Sequence, residues 1–243
     1  MVRQRTIPVR SLGSMVTTPS AGELTAWAKT RTGVGGDLTT FHLMRSAEAQ
    51  DSLDLPAAGG WFYGGRAAAA TLPDAPADEV TDDIRAVESF FKNPWWSLPS
   101  PASLWQDPDE EYLLGYRRLL RTMRDNRVAG HIILSERRPA SIELEFLTGR
   151  RVLWHILRPS EKSLAGLLEV QRDIAIRPEM LEVLEDLMGS YTVRTIIVID
   201  PGEGDLKRAA ELVDPDNLLT GGYAPADQAD YWRDLMSRSI LPR

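Results

Sequence analysis

The sequence predicts an α+β fold in which a mixed sheet is built on a three-stranded antiparallel meander with flanking helices, preceded by an irregular Gly/Pro/Trp-rich N-terminal segment. Three segments of strand character follow one another between residues 130 and 157, and helical periodicity lies on both sides of them. Before about residue 100, glycine, proline and alanine are frequent, which is typical of turns and loops. We therefore expect a loop-rich segment over residues 1–104 that packs on an α+β core domain over residues 105–243.

One helix is predicted within the N-terminal segment. Four apolar residues recur there at helical spacing: Val80, Ile84, Val87 and Phe91. The pair Asn93-Pro94 ends this run, because proline lacks the backbone N–H that a continuing helix needs.

A second helix is predicted to begin at "DPDE". Asp107 is the expected N-cap, Pro108 the first helical residue and Glu110 the partner that completes a capping box. One face of this helix is apolar over three turns, and it comprises Tyr112, Tyr116, Leu119, Leu120 and Met123.

Three strands are predicted next, in the segments "GHIILSE", "SIELEF" and "RVLWHIL". The second segment alternates apolar Ile142, Leu144 and Phe146 with polar residues, as a half-buried strand does. The turn "LTGR" separates the second segment from the third by few residues. Because antiparallel strands need only short connections, an antiparallel meander is the expected topology.

The C-terminal part is predicted to be mostly helical. Helices are expected around residues 161–170, from Pro178 to Gly189, and from residue 227 to residue 237. The apolar run "TIIVI" has the length of a strand covered on both faces. Asp205 is expected to cap the helix that follows it.

Composition limits the chemistry and the location of the protein. The chain has 243 residues, a formal net charge of −7 and no cysteine, which excludes disulfides, thiolate metal sites and thiol nucleophiles. No apolar run approaches the roughly 20 residues that span a bilayer. We therefore expect a cytoplasmic protein without a membrane partner.

The acidic turn in "TIIVIDPGEGD" has two interpretations. Asp200, Glu203 and Asp205 follow a predicted buried strand, where carboxylates hold Mg²⁺ or act as general base. That interpretation implies a Mg-dependent hydrolase or phosphoryl-transfer enzyme. The alternative, which the pattern favours, is a turn at Asp200-Pro201-Gly202 followed by a helix cap.

Other catalytic signatures are missing from the sequence. The glycine-rich stretches "TGVGGD" and "GGWFYGGRA" match neither a phosphate-binding loop nor a dinucleotide fingerprint, and no nucleophile elbow is present. His131 and His155, with Glu143 or Glu145, would supply three zinc ligands, but their spacing does not favour it. The prediction is that the protein has no cofactor and no metal site.

Arginine is concentrated in one segment. Residues 112–158 contain ten arginines and four acidic residues, so this segment carries +6 and the rest of the chain −13. Eight of them are predicted to share one side of the molecule: Arg117, Arg118, Arg121, Arg124, Arg137, Arg138, Arg150 and Arg151. Arginine suits carboxylate and phosphate partners.

These arginines have three interpretations. They pair with the acidic remainder of the chain, they bind an acidic protein partner or a second copy of the chain, or they bind nucleic acid. The last is disfavoured by the negative total charge and by the lack of aromatic residues among the arginines.

Tryptophan is concentrated in the N-terminal segment, at Trp61, Trp95 and Trp96 among others. These side chains either cover the core or form an exposed recognition surface. The resulting hypothesis is a non-enzymatic binding, assembly or regulatory protein that uses the arginine-rich face and the Trp-rich segment.

Overall fold

Strands and helices alternate along the residues that the computed structural model describes, which are 4–32, 35–72, 78–105, 107–225 and 229–242. The strands are β1 (Gln4–Thr6), β2 (Val9–Ser14), β3 (Ala57–Gly59), β4 (Trp95–Pro99), β5 (Gly130–Ser135), β6 (Val152–Ile156), β7 (Asp173–Ile176), β8 (Thr195–Ile199), β9 (Leu218–Ala224) and β10 (Ile240–Pro242). The helices are α1 (Ala21–Thr30), α2 (Leu38–Glu48), α3 (Gly64–Ala70), α4 (Asp78–Glu88), α5 (Pro101–Leu104), α6 (Glu110–Asp125), α7 (Ser141–Leu147), α8 (Glu161–Leu168), α9 (Leu181–Met188), α10 (Asp205–Ala210) and α11 (Ala229–Arg238).

Eight parallel strands close into a barrel. β2, β9, β8 and β7 form one four-stranded sheet, and β3, β4, β5 and β6 form another. The sheets meet along two seams, where β2 lies beside β3 and β6 lies beside β7. Helices follow each barrel strand, as connections between parallel strands require. This architecture is the (β/α)8, or TIM, barrel.

Glutamine side chains bridge both seams. At the β6–β7 seam, the Trp154 backbone N–H donates to Gln171 Oε1 at 2.9 Å, and Gln171 Nε2 donates to the carbonyl oxygens of Trp154 at 3.1 Å and Asp173 at 2.9 Å. At the β2–β3 seam, the Ala57 backbone N–H donates to Gln50 Oε1 at 3.1 Å. Each amide therefore replaces backbone partners that a continuous sheet would supply.

We expect Gln171→Ala to lower the free energy of unfolding by about 2 kcal/mol, because it leaves the seam-facing N–H and carbonyl groups of Trp154 unpaired. Urea denaturation measures the change. Glu169→Ala, at an exposed position two residues earlier, serves as the control. Equal stability of the two variants would show that the seam does not depend on the amide.

The barrel interior is filled by side chains. Its apolar layer comprises Leu12, Ala57, Ile132, Leu134, Leu153, Ala175, Ile197 and Ile199. At the end where the strands begin, the Arg10 guanidinium lies 4.5 Å from the centre of the Trp95 ring. Burial lowers the pKa of Arg10, and the nearby Asp173 carboxylate partly opposes that effect. The amino-terminal end of the barrel is thus closed by a cation on an aromatic ring.

The predicted antiparallel meander is wrong. "GHIILSE" and "RVLWHIL" do contain strands, but these are β5 and β6, which pair in parallel from His131 opposite Val152 to Ser135 opposite Ile156. "SIELEF" belongs to helix α7, so it serves as the connection between two parallel strands. The mixed α+β sheet is therefore replaced by an α/β barrel.

Local interactions explain why this segment forms a helix. The buried Glu143 carboxylate accepts hydrogen bonds from the backbone N–H groups of Ala140 and Ala102, both at 2.9 Å, which ties down the first turn. Leu144 and Leu147 are buried at helical spacing. The apolar residues of this segment fit both the two-residue repeat of a strand and the repeat of a helix. The tertiary contacts of Glu143, Leu144 and Leu147 favour the helix.

The N-terminal segment contributes directly to the barrel. Residues 4–104, where described, include β2, β3 and β4 as well as helices α1 to α5. "GGWFYGGRA" ends β3 and begins α3, whereas Gly33 and Val34 of "TGVGGD" lie outside the described residues. β1 and β10 pair antiparallel beside the barrel.

Most of the predicted helices are confirmed, with shifted ends. The N-cap of α6 is Asp109 rather than Asp107, and its side chain accepts from the Tyr112 N–H at 3.0 Å. The last helix is described from Ala229, because residues 226–228 lie outside the described part of the chain.

Across the described residues, none of the helices combines the length and the apolar character needed to span a bilayer.

Candidate active site at the carboxyl ends of the strands

β7, β8 and β9 are neighbours in one sheet and end at the same end of the barrel. Polar residues lie at these ends: Arg177 follows β7, Asp200 follows β8 and Tyr223 is the penultimate residue of β9. Tyr231, from α11, joins them. The carboxyl ends of the strands therefore bring together residues that are spread over more than 50 positions of the sequence, from Arg177 to Tyr231.

Asp200 has an unusual backbone conformation. Its φ is +48°, in the left-handed region that few residues other than glycine adopt. Its backbone N–H donates to the Gly221 carbonyl at 3.0 Å, which continues the β8–β9 ladder by one residue. Strain of this kind is held in place by the surrounding structure and occurs often at functional positions.

The Asp200 carboxylate has two partners from different elements. The Tyr231 hydroxyl donates to Oδ1 at 2.5 Å, and Arg177 Nη1 lies 3.9 Å from Oδ2. The Asp200 side chain is 29% exposed and that of Arg177 is 51% exposed, so both remain accessible from solvent. The carboxylate is thus oriented and still open to a ligand.

Tyr231 remains a hydrogen-bond donor. Burial raises the pKa of its phenol above the ordinary value, and the hydrogen bond to Asp200 raises it further. The neutral phenol therefore persists at every pH where the protein would operate, and it donates to the Asp200 carboxylate throughout.

Tyr223 and Trp61 lie next to this group. The Trp61 backbone N–H donates to the Tyr223 hydroxyl at 2.9 Å, which joins the end of β9 to the loop after β3. Burial raises the pKa of Tyr223 to about 12. Both side chains pack against the apolar interior of the barrel.

The acidic turn does not gather its three carboxylates. Asp205 accepts from the Gly202 N–H at 2.7 Å and stabilises the turn, Glu203 is exposed, and Gly204 with a φ of +87° is the N-cap of α10. Throughout the described ranges, no three His, Asp or Glu residues are arranged to hold a metal ion. The three carboxylates predicted for a Mg-dependent enzyme are therefore not gathered into one group among the described residues, and the N-cap of α10 is Gly204 rather than Asp205.

The eight predicted arginines fall into three groups. Arg137 and Arg138 follow β5, at the carboxyl end of the barrel, whereas Arg150 and Arg151 precede β6, at the amino end. The remaining four lie along α6, namely Arg117, Arg118, Arg121 and Arg124. A continuous helix–meander face does not exist, because the strands are parallel.

The arginines of residues 112–158 form no ion pair with the described carboxylates. Twelve ion pairs are present in the described chain, and all of them use arginines from other segments. The interpretation in which these arginines are neutralised by the acidic remainder is therefore not supported.

The tryptophans do not form one exposed surface. Trp96 is fully buried and its ring centre lies 5.3 Å from that of Tyr63. Trp95 is half-buried inside the barrel beneath Arg10, and Trp61 is half-buried at the opposite end. The Trp-rich segment predicted for partner contacts is dispersed over the core.

No protein-family model matches this chain, and neither does any curated protein. Among known structures, 96% of the chain aligns with 48% of the protein CpGH84B, at 9% identity and a TM-score of 0.50. The chain thus spans about half the length of that protein. It also aligns over 96% of its length with 90% of a tryptophan synthase from M. tuberculosis, at 11% identity and a TM-score of 0.48.

A dihydrodipicolinate synthase from Thermotoga maritima aligns with 96% of the chain over 78% of its own length, at 11% identity and a TM-score of 0.38. The similarity to CpGH84B concerns the fold alone.

The predicted non-enzymatic binding or assembly role is wrong, because it depended on a helix–meander face and an exposed Trp-rich segment that the barrel does not contain.

Proposed function

We propose that this protein is an enzyme that acts on a small molecule carrying a carboxylate or phosphate group, with its active site at the carboxyl ends of β7, β8 and β9. In characterised TIM-barrel enzymes the active site lies at this end, and the residues that carry the reaction come from several strands. A fold alone does not specify a reaction. The proposal therefore depends on the group formed by Asp200, Arg177 and Tyr231.

The observation that carries the proposal is the position of Asp200. Its strained backbone directly follows β8, and its carboxylate is oriented by residues from β7 and α11 while remaining partly exposed. Aspartate adopts the left-handed region at turns more readily than most residues, so the proposal depends mainly on the two partners from separate elements. An acid that is oriented but accessible suits proton transfer to or from a substrate.

Each residue has a distinct role. Asp200 accepts a proton from the substrate through an oxygen of its carboxylate, and Tyr231 holds the carboxylate in position by donating to Oδ1. The Arg177 guanidinium has five N–H donors and lies at the limit of ion pairing with Asp200, so donors remain for a substrate anion. Arginine binds carboxylate and phosphate groups through two parallel hydrogen bonds.

We expect Asp200→Asn to reduce turnover by about 100-fold or more, because the amide cannot accept the proton. The assay incubates the chain with mixtures of small carboxylic acids and sugar phosphates and follows their consumption by NMR. Asp125→Asn, at the exposed end of α6, is the matched control and should keep full activity. Turnover that survives Asp200→Asn would exclude Asp200 as the catalytic acid or base.

Arg177→Gln is expected to raise KM for the same substrate by about tenfold or more, with a smaller effect on kcat, because it removes a charged hydrogen-bond donor to the substrate. Arg172→Gln is the matched control, since Arg172 is exposed and lies before β7, at the other end of the same strand. An equal effect of both variants would indicate a general charge effect and contradict an anion site at Arg177.

A further inference from the structure

We propose that a groove between α6 and α7 binds a nucleotide-like ligand, meaning a small molecule with two or more phosphate groups and a flat apolar body. This arginine groove is lined by Arg117 and Arg124 from α6 and by Arg150 and Arg151 from the loop before β6. Its volume is about 400 Å³, which lies in the range of small-molecule sites. It is independent of the proposed active site.

The arginine groove lies away from the carboxyl ends of the strands. α6 runs toward the amino end of β5, and Arg150 and Arg151 directly precede β6. A second cavity of about 340 Å³ shares Arg117 and Arg124 and extends along α6 past Arg121. A basic groove therefore continues along α6 on the outside of the barrel.

The positive charge of the arginine groove is compensated only in part within the described chain. The four lining arginines have no carboxylate within 4.0 Å among the described residues, whereas nine arginines elsewhere form twelve ion pairs. Like charges held together without counterions repel one another, and an anion bound between them removes that cost. One acid, Glu145, also lines the groove, so three positive charges remain for a ligand.

The other lining residues indicate what accompanies the anionic groups. Leu120 and Phe146 contribute apolar surface beside the guanidinium groups. A flat ring can pack on such a surface, while guanidinium groups bind phosphate oxygens in pairs. A nucleoside di- or triphosphate has both parts. A nucleic acid is a poorer match, because the chain as a whole carries −7 and this groove offers one aromatic side chain.

Isothermal titration calorimetry on the full chain tests the proposal, with ATP, ADP, pyrophosphate, inorganic phosphate, adenosine and a single-stranded oligonucleotide as separate ligands. We expect ATP and ADP to bind more tightly than pyrophosphate, and adenosine to bind more weakly than either. Affinity should fall as salt rises, since the phosphate contacts are ionic. No binding of ATP or ADP, equal affinity for inorganic phosphate, or preference for the oligonucleotide would overturn the proposal.

Variants separate this site from a general charge effect. Arg117→Gln combined with Arg150→Gln should weaken ATP binding by about tenfold or more. Arg137→Gln combined with Arg138→Gln removes the same charge from the carboxyl end of the barrel and should leave binding unchanged. Equal losses in both double variants would show that ATP responds only to net charge, which contradicts a site in the groove.

A second variant keeps every arginine. Gly149 lines the groove and has open space around an added Cβ, so Gly149→Phe should obstruct the ligand and weaken ATP binding by about tenfold. Binding that survives Gly149→Phe would contradict a ligand within the groove. Asp200→Asn and Arg177→Gln should leave ATP binding unchanged, so failure of this proposal is distinguishable from failure of the proposed function.

Discussion

Gly60→Ala is expected to lower the free energy of unfolding by about 3 kcal/mol or more, and it is the glycine substitution with the largest expected cost. Gly60 has a φ of +151°, and an added Cβ would lie 2.1 Å from the Ser14 carbonyl oxygen and 2.8 Å from the Ser14 nitrogen. These are backbone atoms of β2, so the steric clash can be removed only if β2 and β3 separate at their seam. Backbone strain and overpacking both contribute to the loss.

Urea denaturation of Gly60→Ala measures this cost against Gly65→Ala. Gly65 lies in α3, and an added Cβ there has nothing within 4 Å. Alanine should stabilise that helix by up to about 1 kcal/mol, since glycine is the weaker helix former. Similar stabilities for the two variants would mean that β2 and β3 do not approach as closely as the barrel requires.

Acidification is expected to destabilise the protein through two buried histidines. Burial lowers the pKa of His131 to about 3 and that of His155 to about 4. In the unfolded chain both titrate near pH 6.5, so the unfolded state binds more protons below that pH. The stabilising contribution of the neutral histidines is therefore fully present above about pH 6.5. The free energy of unfolding falls as the pH drops toward 4, by about 2 kcal/mol per histidine at about pH 5.

His131→Leu tests this expectation. Neither ring nitrogen of His131 has a hydrogen-bond partner among the described residues, so leucine removes a buried polar group together with the titration. The variant should be more stable than the parent chain at about pH 5, with a smaller difference at about pH 8. A stability difference that does not change with pH would show that His131 is not neutral in the folded protein.

The helices and some of the strands were predictable because their patterns are local. α6, α8 and α9 have apolar faces at helical spacing, and β8 is a continuous apolar run. The barrel itself was not predictable in this way. β3 and β7 have only three and four residues, which is too short for a pattern.

β9 illustrates a further difficulty. Its sequence "LLTGGYA" contains two adjacent glycines that weaken any strand pattern. Both lie in close packing, because an added Cβ would lie 2.6 Å from the Ile197 side chain at Gly221 and 2.6 Å from the Leu235 and Tyr231 side chains at Gly222. Those neighbours belong to β8 and α11, so the reason for the glycines exists only in the tertiary structure.

The candidate site was predictable in part. A carboxylate after a buried strand pointed to Asp200, but the sequence grouped it with Glu203 and Asp205 rather than with Arg177 and Tyr231. Residues close together in a turn need not share a site, as Asp205 shows by bonding to Gly202, whereas parallel strands align residues that are far apart in sequence. The arginine concentration was visible in the sequence, but its division between the two ends of the barrel required the direction of the strands.

The two glutamine bridges have a consequence for how the molecule opens. The two seams lack the continuous strand pairing found within each sheet, although backbone hydrogen bonds between β2 and Leu55 add to the glutamine bridge at one of them. Transient opening should therefore begin at the seams rather than within a sheet. Such an event would part the molecule into two half-shells. One half-shell would hold the unbroken stretch Ala57–Ile156, and the other would join β2 to β7, β8 and β9. Arg177 and Asp200 follow strands of the second half-shell, and Tyr231 lies in α11, which packs against β9. The proposed catalytic group would therefore stay intact during such an opening.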